Sequence, residues 1–107
     1  MVARQRSLGP SGPRTLRIPL PARGSASFAE QAIASDPGDG VQALSSRCPH
    51  LGCRVDRLEG GELVCPCHGS RFALDGSLRR GPARDGLQRL AAQADPDGTS
   101  ISIRIDA

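Results

Sequence analysis

The chain contains no tryptophan, no tyrosine and no lysine, and only two phenylalanines, Phe28 and Phe72. A core without large aromatics has to be assembled from Leu, Ile, Val and Ala. Frequent Gly and Pro cut the chain into short segments, which favours strands over long helices. Without lysine, the net charge of +3 rests on arginine. These arginines are scattered through turns and strand faces and are not interleaved with aromatics, so the electrostatic footprint of a nucleic-acid binder is missing. No apolar run approaches the roughly 20 residues of a spanning helix, or the apolar centre of about 7 to 15 residues in a secretory signal. A membrane span within this chain is therefore not expected, and Leu16-Arg17-Ile18-Pro19-Leu20 is too short and too broken to insert. At 107 residues the chain reads as one domain, to whose small core a cofactor or a covalent staple would add materially.

Residues 1–13, rich in Gly, Ser, Pro and Arg, have the composition of a flexible arm that cannot bury enough surface to order itself, so the folded domain is expected over 14–107. Thr15 to Leu20 and Ser27 to Ile33 are strand candidates, although Phe28 to Ala34 also suits a short helix. Asp36-Pro37-Gly38-Asp39-Gly40 is a turn leading into a strand from Val41 to Ser45. Arg54 to Leu58 and Glu62 to Cys65 flank Glu59-Gly60-Gly61, whose glycines can supply positive φ, so this stretch reads as a hairpin. Asp75-Gly76 and Gly81-Pro82 punctuate the return into a segment from Gly86 to Ala94. After Asp95-Pro96-Asp97-Gly98, Ile101, Ile103 and Ile105 alternate with polar residues in a closing strand.

What the chain does have is concentrated. Cys48-Pro49-His50-Leu51-Gly52-Cys53 and Cys65-Pro66-Cys67-His68-Gly69-Ser70-Arg71-Phe72 hold all four cysteines and both histidines. Each stretch offers one Cys and one His two or three residues apart plus one further cysteine, so an iron-sulfur centre with mixed ligation is expected. Cys48 and Cys65 would serve one iron, His50 and His68 the other. Two ferric ions, two sulfides and two thiolates sum to zero charge with neutral imidazoles. One added electron then leaves a single negative charge, and the potential lies well above that of an all-cysteine cluster, within about −150 to +300 mV. Ferric iron should also acidify the remote nitrogens of His50 and His68, so that reduction takes up a proton near neutral pH. Cys53 and Cys67 remain, one per loop. A disulfide, two free thiols, or a shift of ligand identity to either would account for them. The disulfide is preferred because orphan thiols beside a metal are competing ligands, and because it would staple the loops by roughly 2 to 4 kcal/mol.

The two segments resemble the paired boxes of Rieske proteins, in particular those of the iron-sulfur subunit of cytochrome bc complexes, with Gly81-Pro82-Ala83 similar to the proline loop that covers the cluster in that family. The resemblance implies an all-β Rieske fold: a small antiparallel basal barrel or sandwich carrying a cluster-binding subdomain of about residues 46–82. It implies one [2Fe-2S] cluster per chain, with Cys48, His50, Cys65 and His68 as ligands and Cys53 with Cys67 as a loop-bridging disulfide. It places Leu51 at the exposed tip where quinol docks in the family, or as a simple shield against water. Gly69 lies where backbone amides approach sulfur, Pro82 in the covering loop, and Ser70 where a hydroxyl bonds a bridging sulfide and raises the potential. Phe72 departs from the tyrosine of high-potential members and cannot donate to a cysteine sulfur, so a lower potential than theirs is expected. Pro49, in place of threonine, stiffens the first loop.

The function implied is one-electron transfer within a quinol:cytochrome c (bc-type) or related oxidoreductase complex. Its partners would be a cytochrome or oxidoreductase subunit and a donor such as a quinol. No bond-making site is expected, since both histidines are used as ligands. A soluble ferredoxin component of an oxygenase or nitrite-reductase type system is the alternative, and the extra cysteine pair argues against it. A Cys2His2 zinc module for protein interaction is more remote, since the Cys-x-His spacing and Ser70 argue against it. The compartment stays open. A disulfide points to an oxidising face such as the periplasm, whereas the lack of a signal segment points to the cytoplasm.

Overall fold

The computed structural model describes residues 14–49 and 53–105. The expected N-terminal arm, the tip His50-Leu51-Gly52 and the last two residues lie outside them. Among the described residues the chain is all-β, with no helix and none long and apolar enough to cross a membrane. In chain order the strands are β1 (Arg14–Pro19), β2 (Ala26–Phe28), β3 (Ala32–Ser35), β4 (Gln42–Ser45), β5 (Arg57–Glu59) and β6 (Glu62–Val64). They continue as β7 (Arg71–Phe72), β8 (Leu78–Arg80), β9 (Arg89–Leu90), β10 (Ala92–Ala94) and β11 (Ser100–Ile105). Three antiparallel sheets result, ordered β1-β11-β10, β2-β3-β4-β9 and β5-β6-β7-β8.

The middle sheet is buried on both faces, and its sequence shows how. Along β3, Ala32 and Ala34 join Ala43 of β4 against Ile18, Ile101, Ile103 and Ile105 of the first sheet, while Ile33 and Leu44 point the other way, into a second cluster with Leu63, Phe72, Val55 and Leu87. Small side chains on one face let the isoleucines of β11 approach, and large ones on the other fill the space below the cysteine loops. Alternation in β11 places Ile101, Ile103 and Ile105 inward as the period-2 pattern requires.

The strand candidate Ser27 to Ile33 resolves into two strands, β2 and β3, with Ala29 N–H bonded to the Ala32 carbonyl at 2.9 Å in the turn between them. No Gly or Pro marks that turn. The segment Gly86 to Ala94 divides as well: β9 joins the middle sheet and β10 the first, while the Ala91 carbonyl between them accepts from Arg104 N–H at 2.8 Å. The hairpin forms through β5 and β6 around Gly60 (φ 59°) and Gly61 (φ 78°), a two-residue connection whose positive φ values match the primed turns. It is shorter than expected at its open end, because Arg54 pairs with Arg47 instead.

The chain returning from the third sheet is pinned by backbone proximity. Leu87 N–H donates to the Gly76 carbonyl at 2.8 Å, and a Cβ on Gly86 would stand 2.5 Å from that same oxygen. Neither backbone can withdraw cheaply, since Leu87 is buried and Gly76 abuts Leu44. Gly86→Ala is therefore expected to cost about 1 to 3 kcal/mol through overpacking. Urea unfolding reads this directly, and an unchanged midpoint would show that the two segments can part freely.

Candidate metal centre

Each cysteine loop is closed by its own backbone. In the first, Val55 N–H donates to the Ser46 carbonyl at 2.7 Å and Cys48 N–H to the Cys53 carbonyl at 2.6 Å, with Arg47 and Arg54 bridged between them. Ser46, 2% exposed, anchors this loop to the middle sheet through Oγ–H to the Glu30 carbonyl at 3.0 Å. In the second, Cys65 N–H donates to the Ser70 carbonyl at 2.9 Å and Gly69 N–H to the Cys65 carbonyl at 3.1 Å, a tight turn that Gly69 makes possible at φ 84°.

These closures bring Cys48 and Cys65, each 2% exposed, side by side in the core with Phe72, Leu63 and Val55, and both thiols are free. Cys53 and Cys67 are joined in a disulfide, Cα to Cα 6.4 Å, which settles the alternatives left by the sequence. Burial pushes the Cys65 thiol up; the backbone amides of Cys67 and His68, bonded to it, act in the opposite direction, and the neighbouring Cys48 raises it further. His68 is exposed, while His50 and Leu51 lie outside the described residues. No three His, Cys, Asp or Glu side chains among the described residues group around a single ion.

Ser70 does something the sequence did not disclose. Its buried Oγ accepts the Ala83 N–H at 3.0 Å, tying the Gly81-Pro82-Ala83 loop, whose Gly81–Pro82 peptide is cis, onto the second cysteine loop. A hydroxyl accepts and donates at once, so its own proton remains for a further acceptor. Pro82 is exposed and Ala83 buried. Phe72 is fully buried in the same cluster as the two free thiols. Below the loops, Glu62 receives Arg71 Nε at 2.8 Å and Arg79 Nε at 3.3 Å, and the Arg71 hydrogen bond holds its carboxyl below the usual range.

The donor set suits a thiophilic metal group. Two sulfurs are buried together in a water-poor pocket, lined by amides that can bond to sulfur. The two other cysteines are removed from competition by their disulfide. Soft thiolate ligands of this kind select iron-sulfur clusters, copper(I) or zinc.

The Rieske [2Fe-2S] domain family matches residues 20–91. The cytochrome b6-f complex iron-sulfur subunit of Synechococcus sp. (strain JA-3-3Ab) is 43% identical over 60 residues, 55% of this chain and 35% of that protein. The corresponding subunit of Chlorobaculum thiosulfatiphilum is 32% identical over 74 residues, 68% of this chain and 41% of that protein. This chain thus matches only about a third to two fifths of these relatives' length. Among solved structures, the cyanobacterial plasma membrane Rieske protein PetC3 from Synechocystis PCC 6803 aligns with a TM-score of 0.60 at 29% identity, covering 73% of this chain and 84% of that one. The ferredoxin of carbazole 1,9a-dioxygenase from Nocardioides aromaticivorans shares the fold with a TM-score of 0.58 at 24% identity, covering 83% of this chain and 95% of that one. With a family match over more than half of its length, placed on loops that pair two free buried cysteines and bridge the other two, the chain belongs to the Rieske [2Fe-2S] domain family.

Proposed function

We propose that the chain transfers single electrons through a [2Fe-2S] cluster held by Cys48 and Cys65 on one iron and His50 and His68 on the other, as a subunit of a quinol-oxidising, bc-type complex. The observation that carries this reading is the sorting of the four cysteines into a buried free pair and a disulfide. The names of the b6-f relatives support the bc-type assignment, and the disulfide weighs against the oxygenase-ferredoxin alternative.

When bound, the cluster supplies a one-electron carrier at moderate potential. The protein does the rest by position. Burial of Cys48 and Cys65 keeps water from the sulfur side, and the exposure of His68 puts the nitrogen side where a partner can reach it. Ser70 holds the proline loop against the second cysteine loop and keeps one proton to donate. Phe72 fills the floor beneath the thiols without a polar group.

Stoichiometric reduction of the iron- and sulfide-loaded protein by a hydroquinone, followed by reoxidation with a c-type cytochrome, tests the function. One electron per chain in each direction is expected. Reduction by dithionite but by no hydroquinone would move the protein to the ferredoxin class. Phe72→Tyr is expected to raise the midpoint by on the order of 40 mV, the one-electron equivalent of a hydrogen bond of about 1 kcal/mol. A drop or no shift in a voltammogram would mean that this ring does not face a ligand sulfur.

A further inference from the structure

The base of the first cysteine loop carries charge that electron transfer through the cluster does not use. Arg47 and Arg54 stand directly opposite each other in an isolated antiparallel bridge, so their side chains leave the same face. Like charges placed this way repel. Among the described residues neither guanidinium pairs with a carboxylate; Arg54 reaches only the Glu30 carbonyl, at 3.4 Å. The two arginines border an open groove of about 640 Å³ that runs from the loop base to Gln88 and Ile105. Gln31 forms part of its wall and accepts a hydrogen bond from the Arg14 guanidinium, which brings a third cation to the rim. Glu30 supplies the one carboxylate among the lining residues.

We propose that this groove is a docking surface for a carboxylate-rich segment of the protein that exchanges electrons with this chain. Guanidinium groups present forked donors that match carboxylates in pairs, and an opposed pair that, among the described residues, forms no ion pair even with the groove's Glu30 is already arranged to receive them. The opposed arginines occupy one part of an open groove of about 640 Å³ whose wall Arg14 reaches at Gln31, room that suits successive acidic side chains of a polypeptide better than a single small anion. Arg47 and Arg54 adjoin Cys48 and Cys53 in the chain, so a partner seated here lies against the loop that carries a proposed ligand. Charge complementarity of this kind speeds encounter and sets orientation more than it adds affinity, as a transient electron-transfer complex requires. The identity of the partner as a redox protein rests on the function proposed above; the surface itself does not.

Binding of a fluorescent hexaglutamate peptide to the cluster-loaded protein, followed by anisotropy at about 0.01 M and about 1 M salt, tests the surface without electron flow. Saturable binding at low salt that vanishes at high salt is expected, with none for hexalysine. Arg47→Gln with Arg54→Gln should weaken it by about tenfold or more. Arg23→Gln with Arg84→Gln, an equal change of net charge elsewhere on the surface, should leave it within about twofold. Arg47→Lys with Arg54→Lys should retain most of it. Equal weakening by the two Gln pairs, loss in the Lys pair matching that in the first Gln pair, absence of binding to the unaltered protein, or displacement of the peptide by equimolar phosphate would each overturn the proposal. If the peptide binds as described and no hydroquinone reduces the protein, the docking surface stands and the quinol-oxidising assignment falls.

Discussion

Cys65→Ser is expected to yield a folded protein that takes up no stoichiometric iron or sulfide. Cys65 is 2% exposed, lies beside Cys48, and is surrounded by Phe72, Leu63 and Val55. A serine hydroxyl there is a hard, protonated donor in a pocket whose counterpart is a soft sulfur, and cluster iron is retained by thiolates. The exchange is close in volume, so the third sheet and the Cys53–Cys67 bond should persist and the loss should be confined to metal. Iron and sulfide assays beside circular dichroism separate the two effects. Full iron content with an unaltered absorption spectrum would remove Cys65 from the ligand set. His68→Cys asks the complementary question, because a third thiolate adds negative charge. Either assembly fails or the midpoint drops towards the roughly −400 mV of four-cysteine ferredoxins, and an unchanged midpoint would exclude His68 as a ligand.

The second large effect concerns the disulfide. Cys53 and Cys67 are 14 residues apart in sequence and provide the covalent link between two loops that are each closed on themselves by backbone hydrogen bonds. Replacing both by alanine frees the unfolded chain and is expected to cost about 3 kcal/mol for a loop of this size. In a domain this small that corresponds to a fall in Tm on the order of 15 °C. The greater part of the change should survive in metal-free protein, where only chain entropy and packing act. Calorimetry of apo and loaded forms of both variants checks this. A Tm unchanged in the apo protein would mean that the loops are held by their backbone closures alone.

The site was more legible in the sequence than the scaffold that carries it. Ligand-type residues cluster within two short stretches, so their spacing survives without knowledge of tertiary structure. The pairing of Cys53 with Cys67, expected from the count of leftover thiols and from the family resemblance, is present. The closing strand and the Gly60-Gly61 hairpin were readable because alternation in one and positive φ in the other are local properties. What escaped is set by distant neighbours. The turn at Ala29 to Ala32 contains no Gly or Pro, and the switch of sheets at Ala91 is imposed by pairing with β4 on one side and β11 on the other. Four consecutive buried residues in β3 give no period, because both faces of that strand are covered. Likewise, the bond from Ala83 N–H to Ser70 Oγ joins residues 13 apart across a proline loop, and no local pattern encodes it.

The most direct measurement is the redox midpoint of the purified protein after iron and sulfide loading, taken together with its iron and sulfide content. The account predicts two irons and two sulfides per chain and a one-electron midpoint between about −150 and +300 mV. A protein that folds and forms the Cys53–Cys67 bond but holds a single zinc, or one whose midpoint falls near about −400 mV, would contradict it.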